Sequence, residues 1–121
     1  MPVDRDAMLN VDLWVILWSP APAVDAAVVE AVLDEHLAWM LDGEAAGRVV
    51  ASGPLTAGPL ARPGAGMTVL RATDEDDAAD FARQDPFYRK GIRTFDVHRW
   101  RVMEGSVTVR VSFGTGTYGI A

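Results

Sequence analysis

The 121-residue sequence predicts an α+β fold: one antiparallel sheet with two helices packed on a single face. Three observations carry this. Apolar segments of strand length alternate with two stretches of helical period. Their order is strand, helix, strand, strand, helix, strand, with one extra strand behind. The first strand, "VDLWVILW" (11–18), is apolar on both faces, which puts it in the middle of a sheet. That order is the split βαβ plait, βαββαβ, of ferredoxin-like folds.

The elements follow in turn. "SPAPAVD" ends the first strand, because Pro20 and Pro22 remove donors and restrict their neighbours. A helix over about 23–46 sets Val29, Val32, Leu33, His36 and Met40 in one stripe, with Leu37 and Trp39 beside it. Gly47 stands as its C-terminal stop. "RVVASGPL" (48–55) is the second strand, ending at Gly53-Pro54. Residues 56–66, "TAGPLARPGAG", form an exposed Gly/Pro loop, and "MTVLRA" (67–72) is the third strand. Thr73 is the expected N-cap of the second helix, which runs to about Gln84 with Ala78, Phe81 and Ala82 inward. "DPFYRKGI" (85–92) is a loop or one short turn, and "RTFDVHRWRVM" (93–103) the fourth strand. "EGS" turns into a fifth strand at 107–113, and "GTGTYGIA" is a loose tail. Together these make one domain, residues 1–121, with a core at about 11–103 and an extension at 104–121.

Composition narrows the function. A net charge of -6 leaves no basic stripe, which argues against nucleic acid and anionic membranes. The absence of cysteine excludes disulfides, thiol nucleophiles and thiolate metal sites, and fits a cytoplasmic protein. The charged start "MPVDRDAMLN" has no apolar signal region, and no run reaches the roughly 18–20 apolar residues of a membrane span. The two histidines, His36 and His98, have no metal-ligand spacing, so no metal is expected. No phosphate-binding or dinucleotide motif points to a cofactor.

The residues left for chemistry are few. His36 faces inward on the first helix, and Asp85 stands at the end of the second. In a plait both helices lie on the same face, so the two converge near the Ser52-Gly53-Pro54 turn. A carboxylate on one ring nitrogen selects the tautomer and leaves the other nitrogen as an acceptor. The plain alternatives are a core histidine and a turn-forming Asp-Pro. Arg89, Lys90 and Arg93 read as a solvated basic turn, and His98 as a surface or interface position. A first strand apolar on both faces also calls for a homodimer that covers the sheet's open side.

"DEHLAWML", "RVVASGPL" and "FARQDPFYRKGI", in this order and spacing, resemble the YCII-related family. The resemblance covers roughly residues 11–103. It implies a dimeric ferredoxin-like protein with a His36–Asp85 dyad and Ser52 in the S-G-P turn. A dehydrochlorinase of chlorinated hydroxyhydroquinones is one characterised relative. The expected function is cofactor-independent proton transfer, an elimination or isomerisation of a small oxygenated compound, cyclic ones included. His36 and Asp85 are the expected catalytic pair, with Ser52, Gly53 and Tyr88 binding substrate. The rival is a non-catalytic dimeric module that binds a small molecule or a partner.

Overall fold

The computed structural model describes residues 1–120. The chain forms two compact units, Asp12–Trp100 and Met1–Val11 with Arg101 onward. The larger unit carries the plait: β1 (Val11–Pro20), α1 (Ala26–Ala45), β2 (Val49–Pro54), β3 (Gly66–Leu70), α2 (Glu75–Ala82), a four-residue α3 (Pro86–Arg89) and β4 (Arg93–Val102). The strands lie in the order β2-β3-β1-β4, with β3 antiparallel to both β1 and β2. The two-faced first strand is thus interior, as its apolar run requires.

One face of β1 makes the core. Trp14, Ile16 and Trp18 bury beneath the helices with Leu70, Ala78, Phe81 and Ala82. Each large side chain removed from water contributes about 1.5–3 kcal/mol. Phe95 and Val97 of β4 pack against the same cluster, which puts their strand-mate Arg93 on the helix side as well. On the open side, Leu13, Val15 and Leu17 are half-buried, while Met67 and Trp100 are exposed.

Local chemistry explains the boundaries. Asp25 caps α1 by accepting the Val28 N–H at 3.0 Å. Gly47, at φ +76°, ends it in the left-handed conformation, and the Arg48 N–H returns to the Gly43 carbonyl at 2.9 Å. The cap of α2 is Asp74 rather than Thr73. The Asp74 carboxylate accepts the Asp77 N–H at 2.8 Å, and the Thr73 N–H donates to Asp77 Oδ2 at 2.9 Å. Both acids are occupied by helix-terminal donors, so the helix begins one residue later than the sequence suggests.

Gly43 sits where α1 meets α2. A Cβ there would lie 3.0 Å from the Phe81 ring and 3.2 Å from Val49 Cγ2. Gly43→Leu is expected to cost about 1–3 kcal/mol by overpacking in chemical denaturation. Gly43→Ala should be far milder, because better helix propensity offsets the crowding. Equal stability of Gly43→Leu and wild type would show that the helices do not meet this closely.

In the smaller unit a short 3-10 turn (Arg5–Ala7) is capped by Asp4, and the Leu9 N–H donates to the Met103 carbonyl. The fifth strand is shorter than expected, β5 (Val109–Ser112). The tail expected to be loose instead pairs back as β6 (Thr117–Ile120), while Ala121 lies outside the described residues. The register sets Val109 opposite Ile120 and Val111 opposite Tyr118, so one face of the hairpin is apolar. All four side chains are exposed. A two-stranded hairpin is marginal in water by itself.

Candidate active site

Asp85 is fully buried, and three elements converge on it. Oδ1 lies 2.7 Å from His36 Nδ1 on α1 and accepts the Phe87 N–H of α3 at 3.3 Å. Oδ2 accepts Arg93 Nε of β4 at 2.8 Å. Asp85 is therefore both the cap of its own short helix and the partner of the histidine. The turn-forming reading and the functional one are compatible, because the two oxygens have room for both.

An ionised carboxylate only accepts, so His36 Nδ1 carries a proton, and in the neutral imidazole Nε2 is left as the acceptor. The imidazole is held on its flat side too, stacked on Phe87 at 4.5 Å between centroids and 26° between planes. Its side chain is 12 % exposed.

Arg93 is not in a solvated turn. It is buried, with Nη1 donating to the Gly64 carbonyl at 3.2 Å. Its Cζ lies 3.9 Å above the Trp18 ring and 4.8 Å from the Phe87 ring. Burial pushes the guanidinium below its usual pKa, opposed by the charge and hydrogen bond of Asp85. It remains a cation, since no protein environment deprotonates arginine near neutral pH. Alternation in β4 carried the signal: Arg93 shares a face with Phe95 and Val97. Arg89 and Lys90 are exposed, Lys90 pairing with Glu35.

Beside this cluster is an open cavity of about 160 Å³, walled by Trp18, Val29, Leu33, Met40, Phe87 and Pro54, among others. An apolar cavity of roughly 150 Å³ is enough for one benzene ring. His36, Ser52, Gly53 and Arg93 all line it. Gly53 sits opposite Met67 in the β2–β3 ladder, so it offers backbone wall and no side chain. Tyr88 is not brought there. On a single helical turn, neighbours point about 100° apart. Phe87 takes the cavity, while Tyr88 packs edge-on against Phe95 at 5.3 Å. The Gly/Pro loop, which sequence gave no site role, contributes Gly64, Ala65 and Gly66 to the wall. Arg62 ties that loop to the Ala21 carbonyl at 2.7 Å. His98 is exposed and lies outside the site.

The model of the YCII-related domain matches residues 13–101. The chain belongs to that family. Among solved structures it is similar to the 5-chloro-2-hydroxyhydroquinone dehydrochlorinase of Burkholderia phenoliruptrix AC1100, determined with 2,5-dihydroxybenzoquinone. The TM-score is 0.60 and the identity 22 %, over 73 % of this chain and 92 % of that one. At that identity the likeness supports the YCII-type fold and leaves the chemistry to the site. No curated protein matches the sequence. Among the described residues no helix is long and apolar enough to cross a membrane, and no cluster of potential metal ligands occurs.

Proposed function

We propose that this YCII-related protein is a cofactor-independent enzyme that moves a proton on a small oxygenated ring. The observation that carries the reading is the His36–Asp85 contact of 2.7 Å beside a largely apolar cavity of ring size. His36 Nε2 takes a proton from a carbon or oxygen acid of the substrate. The released electron pair then either expels a leaving group, such as chloride, or is reprotonated at another atom. The first outcome is elimination with net loss of HCl, the second isomerisation. Asp85 holds the tautomer and stabilises the imidazolium, and the Ser52 hydroxyl holds the substrate oxygen as charge develops there.

The test is a panel of chlorinated hydroxyhydroquinones and small lactones, followed by chloride release and by ultraviolet absorbance. At least one member should turn over with wild type. Tight binding of a member with no turnover of any would favour the rival, a non-catalytic binding module.

The working form in this reading is a homodimer, with a second copy covering the apolar open side of the sheet. Val15, Leu17, Met67 and Trp100 form a patch of the kind monomers rarely leave in water. We expect sedimentation to give a dimer at micromolar concentration, with an interface above about 1,200 Å². Trp100→Glu should shift it to monomer without unfolding, since the indole is 46 % exposed in the single chain. A wild-type monomer at that concentration would sink this part.

A further inference from the structure

Three side chains from three strands form a hydrogen-bonded row that ends at the cavity. Trp18 Nε1 of β1 donates to Thr68 Oγ1 of β3 at 3.0 Å. Thr68 Oγ1 lies 2.8 Å from Ser52 Oγ of β2, where either hydroxyl is able to donate. Geometry at that second contact leaves the direction open, but burial and the donor inventory decide it.

The indole N–H is a donor only, so Thr68 accepts from Trp18. Thr68 is fully buried, and its hydroxyl has its own proton to place. Ser52 Oγ is the one remaining partner within hydrogen-bond reach among the described residues. Were Ser52 to donate instead, the Thr68 proton would be a buried donor with no acceptor. That costs more than a net hydrogen bond contributes. Ser52 has the opposite freedom, because it lies on the cavity wall, where a ligand or water can take its proton.

We infer that the row runs Trp18 to Thr68 to Ser52, and that Thr68 is a positioning residue which keeps the Ser52 proton free for the cavity. The row's inner end is an indole that never accepts, so the direction does not reverse. With His36 neutral, the cavity then presents a donor at Ser52 and an acceptor at His36 Nε2. It selects a ring that offers both an acidic proton and an oxygen acceptor. A phenol or enol in its acid form meets both demands. A ring ether serves only the Ser52 donor, and an aromatic hydrocarbon meets neither demand. This rests on the functional reading above for its choice of ligand, but the proton order itself does not.

Proton NMR of the ligand-free protein tests the order. A slowly exchanging hydroxyl proton is expected on Thr68, with cross-peaks to the Ser52 β protons. A protected proton on Ser52, or a Thr68 hydroxyl exchanging as fast as an exposed one, overturns the inference whether or not anything binds. Phenol and benzene, titrated by calorimetry, test the consequence. Wild type should prefer phenol, and Thr68→Val and Ser52→Ala should each reduce that preference roughly 5-fold, the worth of an ordinary net hydrogen bond. The double variant should be no worse than either single one, since both remove the same interaction. Thr68→Ser, which keeps the hydroxyl, should restore the preference. Simple addition of the two losses, or a full preference in Thr68→Val, would overturn the role of Thr68. If wild type binds neither ring, the functional reading of the cavity falls, while NMR still judges the proton order.

Discussion

Asp85→Asn is expected to destabilise the protein by about 3–5 kcal/mol, the usual cost of leaving one member of a buried ion pair without its partner. The carboxylate is fully buried and accepts from His36, Arg93 and the Phe87 N–H at once. An amide of the same shape has one acceptor oxygen, and its NH2 would face a donor whichever way it turned. Arg93 would stay a buried cation whose Nη2 already has no hydrogen-bond partner among the described residues. The two aromatic faces near its guanidinium offset only part of that. Urea denaturation measures the loss. A change below about 1 kcal/mol would mean that Arg93 does not depend on Asp85. Replacing both, as Asp85→Leu with Arg93→Met, should recover much of the stability, because two apolar groups leave no orphaned charge.

His36→Asn should behave the opposite way. It is expected to keep the fold, with a loss under about 2 kcal/mol, and to lower turnover by roughly 10² to 10⁴ on whichever panel member wild type converts. Without the imidazole, Asp85 still accepts from Arg93 and from the Phe87 N–H, so no buried charge is orphaned. What disappears is Nε2, the group that takes the proton. Denaturation and steady-state kinetics on the same preparation separate the two effects. Unchanged turnover would remove His36 from the chemistry, and unfolding would make it scaffolding. From sequence the two members of the dyad look equivalent. The buried arginine gives Asp85 a structural part as well, and His36 is the member expected to be dispensable for folding.

The difference between legible and illegible parts of the site is physical. His36 and Asp85 were open to inspection because each breaks a local pattern: an imidazole in an apolar helical stripe, and an acid before a proline. Arg93 breaks none. It follows a basic turn, and its burial depends on Trp18, Gly64, Asp85 and Phe87 meeting around it. Alternation with Phe95 and Val97 was the available hint, and a charged residue at the mouth of a strand is usually solvated. Tyr88 failed in the other direction. Adjacency to Asp-Pro made it a candidate, while rotation on a single helical turn sent Phe87 to the cavity instead.

Period and punctuation alone determined the βαββαβ order, the interior first strand and the helix stop at Gly47, and they singled out His36 and Asp85 as candidates. These are local matters, set by side-chain spacing along one element and by backbone freedom at its ends. The tertiary structure alone decided the burial of Arg93 and the row from Trp18 through Thr68 to Ser52. Each of these depends on which donor meets which acceptor across segments as much as 50 residues apart. Hydrophobic patterning says which face a residue takes, but hydrogen-bond partners are chosen only when those faces close.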